Sequence, residues 1–181
     1  MIPKWSPIVA IDIRTTGPDF EFDSIYQLGA VQLNSEFKPV IDVPKLKISI
    51  TATITPQVKR QCSDLADYAL SAISLEDACR IWRNWCPLDH MIPVCFQWHL
   101  IWPFLSRDFP NFTVPARDLQ TYLTFMHDRH WWSNYNPGFT SFTPRRLFEI
   151  CQVEVLDPKD PLHTCLGYAE CIRYLLQHPL P

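Results

Sequence analysis

The sequence predicts a single α/β domain in which a β-sheet is covered by helices. Three stretches with strand character come first, at residues 8–13, 24–33 and 46–50, and helical patterns mixed with a further strand follow them. The chain has 181 residues, of which 47% are hydrophobic, so it can bury a substantial core. No Gly/Ser-rich linker divides it, and we therefore expect one domain over residues 1–181.

The strands are predicted by short apolar runs between turn residues. Residues 8–13 form such a run between Pro7 and a Thr-Thr-Gly turn, and residues 24–33 alternate well enough for a second strand. Residues 46–50 alternate apolar and polar side chains, as a strand with one face in water does. Residues 91–96 predict a fourth, fully buried strand.

The first helix is predicted after Ser74, a favourable N-cap residue. Asp77 lies at the capping-box spacing from Ser74 and adds negative charge to the first turn. Four apolar residues then share one face of this helix, namely Ala78, Ile81, Trp82 and Trp85. Trp82 and Trp85 are expected to fill the core.

Four more segments complete the predicted element order. Residues 98–107 and 118–127 have helical character, and Pro103 must lie in the first turn of the former or kink it. Thr143-Pro144 predicts an N-cap followed by the first residue of a helix that continues to residue 150. The last helix runs from about 162 to 177 and is expected to share one apolar face made of Leu162, Leu166, Ala169, Ile172 and Leu176. The aromatic, turn-rich residues 128–142 predict a structured loop.

Charge and composition exclude several classes of protein. The net charge is −3 and the pI is near 6.0, which argues against tight, non-specific binding of duplex nucleic acid but leaves room for a local single-strand groove. The small basic clusters are typical of solvated surface charge; they are Lys45 with Lys47, Lys59 with Arg60, and Arg145 with Arg146. Neither a signal peptide nor an apolar run long enough to span a membrane is recognisable, so we expect a cytoplasmic protein without a membrane partner.

The seven cysteines are interpreted as reduced and mostly buried. They include no CxxC pair and repeat no metal-ligand spacing, which disfavours a zinc site. A nucleophilic pair of His163 with Cys165 or Cys95 is conceivable, but a buried structural thiol is the better interpretation. No Gly-x-Ser-x-Gly, phosphate loop or Gly-x-Gly-x-x-Gly motif occurs in this chain, which has only 4 glycines.

The run Ile-Val-Ala-Ile-Asp-Ile-Arg-Thr-Thr-Gly at residues 8–17 resembles the first motif of the DEDDh 3′–5′ exonucleases, the DnaQ-like proofreading-subunit family. In that family a strand ends in Asp-x-Glu-Thr-x-Gly, and the two acidic residues bind two divalent metal ions. Asp12 stands at the Asp position, but Arg14 stands at the Glu position. A guanidinium is not a metal ligand and places a fixed positive charge where a cation would bind.

Two further motifs of the family are recognisable in the expected order. The family's His-Asn-x-x-Phe-Asp-x-x-Phe-Leu, aligned on Phe104-Leu105, places its Asn on Gln97 and its metal-binding Asp on Ile101. Its His-x-Ala-x-x-Asp-Ala resembles the stretch that begins at His163, with Tyr168 at the Asp position. The resemblance therefore implies a ribonuclease H-like fold, a mixed β-sheet flanked by helices.

The resemblance also implies that most of the metal-binding side chains are missing. Two-metal phosphodiester hydrolysis requires hard oxygen ligands and a general base, which the family supplies as four carboxylates and a histidine. Here Asp12 and His163 remain, while the other three carboxylate positions hold Arg14, Ile101 and Tyr168. We therefore expect no catalytic residue and no metal site, with Asp12 as the residual metal candidate and with Arg14 pairing with it.

An active enzyme with an unusual metal site is the alternative. It would be a 3′–5′ exonuclease that uses Mg²⁺ or Mn²⁺ bound by Asp12 and a relocated carboxylate, of which Asp160 is the best candidate. Asp19, Glu21 and Asp23 are expected to face solvent in a loop, and Glu170 is expected to point away from the cleft.

Seven tryptophans suggest a binding surface. Trp98 and Trp102 lie at the second motif, and Trp131 and Trp132 in the irregular segment, where they either fill the core or anchor a ligand. We predict binding by these four residues together with Arg14, which would contact a phosphate or only neutralise Asp12, and Gln97. The sequence thus predicts a catalytically inactive exonuclease-like protein that binds or scaffolds. A protein partner is expected, and a single strand or an end of nucleic acid is the other candidate. A phage or plasmid gene would fit this interpretation.

Overall fold

The computed structural model describes residues 7–86, 91–109, 116–124 and 143–178. The predicted α/β class is confirmed by a five-stranded mixed sheet with the strand order β3-β2-β1-β4-β5. Strand β2 pairs antiparallel with both β1 and β3, whereas β4 is parallel to β1 and to β5. The strands are β1 (Ile8–Thr15), β2 (Ile25–Leu33), β3 (Leu46–Ser49), β4 (Ile92–Cys95) and β5 (Arg117–Asp118).

Helices cover both faces of this sheet. They are α1 (Pro56–Gln61), α2 (Leu65–Ser71), α3 (Leu75–Trp85), α4 (Trp98–Asp108), α5 (described over residues 119–124), α6 (Pro144–Ile150) and α7 (Pro161–Gln177). No described helix has the length and apolar character required to cross a membrane.

The two faces of the sheet have different cores. On one face, Val9 and Ile11 of β1 pack with α3 and α4 in the largest buried cluster. On the other face, Ala10 of β1 and Val31 of β2 pack against α7, and Val94 of β4 packs with α5, α6 and α7. Because side chains alternate along a strand, Asp12 and Arg14 lie on the face that α7 covers.

Gly29 allows α7 to lie close to the sheet. It is paired with Asp12 across β1 and β2. A Cβ atom built on Gly29 would lie 2.5 Å from the backbone carbon of Pro161 and 2.6 Å from the nitrogen of Leu162. Cys165 donates a hydrogen bond from Sγ to the Gly29 carbonyl at 3.2 Å. A side chain at residue 29 would therefore push the start of α7 away from Asp12.

The first predicted strand and three helix starts agree closely with the structure. Strand β1 extends through Arg14 to Thr15. Ser74, Thr143 and Asp160 are N-caps whose side chains accept hydrogen bonds from backbone N–H groups of the first turn. Pro103 lies inside α4.

Other predictions require correction. Residues 117–118 form the edge strand β5, so the predicted helix at 118–127 begins at residue 119. Helices α1 and α2 were not predicted, because each is one or two turns long and has one buried residue, Val58 in α1 and Tyr68 in α2. Ile81 lies at the edge of the apolar face of α3 and is 39% exposed.

The buried face of α7 also differs from the predicted one. Leu176 is 63% exposed, while Cys165, Tyr168 and Cys171 are fully or nearly fully buried. The helix lies between the sheet and α6, so it buries small and aromatic side chains on two sides instead of one leucine stripe. The segment predicted as a structured loop, residues 128–142, lies outside the described residues.

Candidate functional site

The candidate site lies at the end of β1, where the strand meets the start of α7. Asp12 and Arg14 project from the same face of β1, and Asp12 is only 4% exposed. The cleft above them, which we call the Asp12 cleft, has a volume of ≈ 290 Å³ and includes Gln97 and Ile101 of the α4 region and Tyr168 of α7 in its lining. The three motif regions therefore meet at one place, as the sequence predicts.

Asp12 contacts one cation and one hydroxyl group. A guanidinium nitrogen of Arg14 forms an ion pair with its Oδ2 atom, which confirms the predicted pairing. Tyr168 donates a hydrogen bond from Oη to Oδ1 at 3.4 Å. Burial raises the pKa of the Asp12 carboxyl above its ordinary value, although Arg14 and Tyr168 act in the opposite direction.

Tyr168 is held as a neutral donor. It is 1% exposed, and its ring stacks on that of Phe148 with 5.8 Å between the centroids. Burial, and then the neighbouring Asp12 charge, raise the pKa of the Tyr168 hydroxyl well above its ordinary value. At the position where the related motif has an acidic residue, this chain therefore has a hydrogen-bond donor.

Arg14 makes four hydrogen bonds and one ion pair within the described part of the protein. Nη2 donates to the Pro158 carbonyl at 2.9 Å and to Thr164 Oγ1 at 3.0 Å, and Nε donates to the Lys159 carbonyl at 3.2 Å. Nη1 donates to the Ile13 carbonyl at 3.4 Å and pairs with Asp12. A guanidinium has five N–H groups, so four hydrogen bonds and the ion pair with Asp12 leave Arg14 little capacity to bind a ligand in this conformation. Arg14 thus joins β1 to the segment that precedes α7.

The donor set does not fit a two-metal centre. No group of three or more His, Cys, Asp or Glu side chains that could hold a metal ion occurs among the described residues. Next to Asp12 the lining offers the apolar Ile101, the hydroxyl of Tyr168 and the cationic Arg14. Hard divalent cations require several oxygen ligands, which this arrangement lacks.

The relocated carboxylates are engaged elsewhere. Asp160 accepts a hydrogen bond from the Leu162 N–H at 2.8 Å and forms a 2.7 Å ion pair with Lys47. Asp23 accepts hydrogen bonds from Thr16 Oγ1 and the Asp19 N–H at 2.8 and 2.9 Å. Glu170 is exposed and pairs with Arg173 at 2.8 Å. The lining of the Asp12 cleft contains none of them among its described residues.

His163 lies in the first turn of α7 but is not among the described residues that line the Asp12 cleft. Its Nδ1 atom is buried and has no hydrogen-bond partner in the part of the chain that the structure describes. The carboxylates of Asp157 and Asp160 are its acidic neighbours. Because His163 is not among the described residues that line the cleft, a structural role near the helix start is favoured over that of a general base.

Gln97 has an unusual backbone conformation at the entrance to α4. Its φ of 62° and ψ of 53° lie in the left-handed region, which side-chain-bearing residues rarely occupy. The N–H groups of Gln97 and Trp98 donate to the Asp118 carboxylate at 3.0 and 3.1 Å. Asp118 thus caps α4 from the edge strand and fixes the strained turn, with Gln97 in the lining of the Asp12 cleft.

The structure describes two of the four tryptophans that were predicted to bind a ligand. Trp98 and Trp102 lie side by side on α4, with ring centroids 5.3 Å apart, and both pack partly buried against the core. Neither is among the described residues that line the Asp12 cleft. Trp131 and Trp132 lie outside the described residues. Cys95 and Cys165 are fully buried, and burial raises the pKa of both thiols, as expected of structural cysteines.

A second pocket adjoins the Asp12 cleft and was not predicted. It has a volume of ≈ 470 Å³ and shares Ile13, Arg14 and Thr15 with the cleft. We call it the basic pocket, because its lining also contains Arg60, Arg145 and Lys159. These three residues come from α1, α6 and the segment before α7, so their convergence is visible only in the folded chain. The basic clusters at 59–60 and 145–146 were the available sequence signal.

Comparison with known proteins identifies the fold. No sequence-family model matches the chain, and no curated protein matches it by sequence. Several solved structures do match the chain by their fold. The chain superposes on cell-death related nuclease 4 (CRN-4) with a TM-score of 0.73 and 14% identity, covering 97% of this chain and 65% of that one.

Two further solved structures superpose on the chain. E. coli exonuclease I in complex with a dT13 oligonucleotide gives a TM-score of 0.71 at 11% identity, covering 94% of this chain and 41% of that one. S. pombe Pop2p in its Mg²⁺- and Mn²⁺-bound form gives 0.67 at 10% identity, covering 96% and 84%. The chain thus spans about two fifths of the length of exonuclease I. At these identities the comparisons establish the ribonuclease H-like fold of the DEDD exonucleases.

Proposed function

We propose that this protein with a DEDD exonuclease fold does not hydrolyse phosphodiesters and acts by binding the end of a single-stranded nucleic acid at the Asp12 cleft. The observation that carries the first part is the pairing of Asp12. Its carboxylate pairs with Arg14 and accepts a hydrogen bond from Tyr168, so it has little charge left to offer a divalent cation.

Three features support inactivity. The other carboxylate positions inferred from the motifs hold Arg14, Ile101 and Tyr168, and the relocated candidate Asp160 is paired with Lys47. To free Asp12 for a metal ion, Arg14 would have to break four hydrogen bonds in addition to its ion pair with Asp12. Without a bound ion, no water beside the scissile phosphate is activated, and the two-metal mechanism is lost.

Two features support nucleic acid as the ligand. The cleft lies beside a pocket whose lining includes several cations, which suits a phosphate-bearing molecule. One structure of the same fold, exonuclease I, is a complex with an oligonucleotide. A protein partner, which the acidic pI favours and which the sequence analysis expects first, is the alternative to this proposal.

A cleavage assay tests the proposal directly. We expect purified protein to leave a 5′-labelled dT20 strand intact with Mg²⁺ or Mn²⁺, and Mn²⁺ to produce no heat in a calorimetric titration. Trimming of the strand that is lost in Asp12→Ala would show that the ligands have been rebuilt and that the protein is an active exonuclease.

Salt distinguishes the two kinds of partner. Binding led by phosphate contacts weakens steeply between about 50 and 200 mM salt, whereas an apolar protein interface barely responds. Binding of dT20 that is insensitive to salt, or absent at low salt, would contradict the nucleic-acid part of the proposal and leave the protein partner.

A further inference from the structure

The basic pocket collects cations in a chain that has more acidic than basic residues. The sequence contains 19 Asp and Glu against 16 Lys and Arg. The pocket nevertheless has Arg14, Arg60, Arg145 and Lys159 in its lining and no carboxylate among the described residues that form it. Such a region of one sign attracts anions and concentrates them locally.

We infer that the basic pocket is a metal-independent binding site for a phosphate group of a nucleotide or of a strand end, held by Arg60, Arg145 and Lys159. The inference deepens the proposed function, on which it rests, by naming the group that is recognised. It also assigns recognition to residues outside the three motifs.

The three side chains are available to a ligand. Arg60 and Lys159 are exposed, and neither side chain forms an ion pair with another described residue. Arg145 pairs with Glu149 at 3.1 Å, but its side chain is 89% exposed. An exposed pair of this spacing contributes little to stability, so a phosphate can replace Glu149 with little loss.

Arg14 has a different role in the same pocket. Its guanidinium makes four hydrogen bonds and an ion pair within the protein, so it has little capacity left to bind the phosphate. It holds the carbonyls of Pro158 and Lys159, and so fixes the backbone that carries the Lys159 side chain. Arg14 is therefore a positioning residue.

The remaining lining suits the rest of a nucleotide. Ile13, Phe148 and Pro158 provide an apolar part, and Gln57, Gln61 and Thr143 provide hydrogen-bonding groups. A volume of ≈ 470 Å³ lies within the range of small-molecule pockets. The dimensions favour one nucleotide unit over a long stretch of strand.

Calorimetric titrations in EDTA test the inference with four probes: thymidine 5′-monophosphate, thymidine, and the pentanucleotide dT5 with and without a 5′-phosphate. The test variant is Arg60→Gln/Arg145→Gln/Lys159→Gln. The control variant, Lys38→Gln/Lys45→Gln/Arg83→Gln, removes the same charge from residues that are not among the described lining of the pocket. Thermal melts establish that both variants are folded.

We expect a phosphorylated probe to bind, the test variant to bind it about tenfold or more weaker, and the control to change affinity less than about twofold. Binding of the monophosphate identifies a nucleotide, whereas binding of phosphorylated dT5 alone identifies a strand end. Equal affinity for thymidine, an unaffected test variant, or no binding of any probe at millimolar concentration would overturn the inference. Strand cleavage with Mn²⁺ would instead refute the proposed function.

Discussion

The Asp12 cleft and the basic pocket lie side by side and share Arg14, yet they use positive charge in opposite ways. In the cleft the Arg14 side chain is 17% exposed and lies against Asp12, with four hydrogen bonds and an ion pair inside the protein. In the pocket the side chains of Arg60 and Lys159 are exposed to solvent. A buried charge with saturated hydrogen bonds stabilises the fold, whereas an exposed one is available for ligands.

The largest effect should come from removing the buried cation. Arg14→Leu leaves the Asp12 carboxylate without its counter-charge and removes the arginine donors from the carbonyls of Ile13, Pro158 and Lys159. We expect a loss of about 3–5 kcal/mol in the free energy of unfolding, measured by urea denaturation. Arg60→Leu is the matched control and should change stability by no more than about 0.5 kcal/mol.

Equal stability of these two variants would show that the contrast between cleft and pocket is wrong. The double variant Asp12→Asn/Arg14→Leu should recover part of the loss, because no buried charge is then left alone.

A smaller effect on stability is expected at Asp160, the N-cap residue of α7. Asp160→Asn keeps an N-cap for α7 but removes the charge that pairs with Lys47. The Asp160 side chain is largely buried, yet Lys47 and the Leu162 N–H keep the pKa of its carboxyl below the ordinary value of 3.8. A lowered native pKa gives stability that is present at neutral pH and lost as the pH falls below 3.8 toward the native pKa.

We therefore expect Asp160→Asn to cost about 1 kcal/mol at pH 7 and to approach the wild type in acid. Melting temperatures measured between neutral pH and about pH 3 provide the test. A difference that persists unchanged at the lowest pH would mean that the ion pair contributes nothing.

The smallest effect, with the opposite sign, concerns strained backbone inside and outside the cleft. Gln97 at the cleft and Gln152 after α6 both have positive φ, at 62° and 55°. Replacement of either by glycine should relieve strain and stabilise the protein by about 0.5–1 kcal/mol. Gln97→Gly should also weaken ligand binding, whereas Gln152→Gly should leave it unchanged. Denaturation together with titration of phosphorylated dT5 measures both, and destabilised variants would show that the conformation is not strained.

How much the sequence predicts depends on how local each signal is. The strand around Asp12, the pairing with Arg14 and the approach of Tyr168 follow from short motifs in order, and all three occur in the structure. Helices α1 and α2 escaped prediction because one buried side chain each creates no periodic pattern. The buried face of α7 was misplaced because hydropathy does not reveal a helix enclosed on two sides.

The basic pocket is the least predictable feature. Arg60, Arg145 and Lys159 lie in separate segments, and each has the ordinary appearance of a surface residue. Their convergence follows from the packing of α1, α6 and the start of α7. The same limit applies to Asp160. The sequence offered it as a metal-binding candidate, whereas in the folded chain its carboxylate pairs with the distant Lys47.

The bond between Arg14 and Lys159 joins residues 145 positions apart in the chain. Closing so large a loop carries an entropic cost. The bond is therefore one of the strongly non-local contacts of the fold. During synthesis, Arg14 leaves the ribosome long before the segment that precedes α7, so Arg14 cannot form these contacts until that segment has emerged. The Asp12 cleft is therefore complete only when α7 has docked on the sheet.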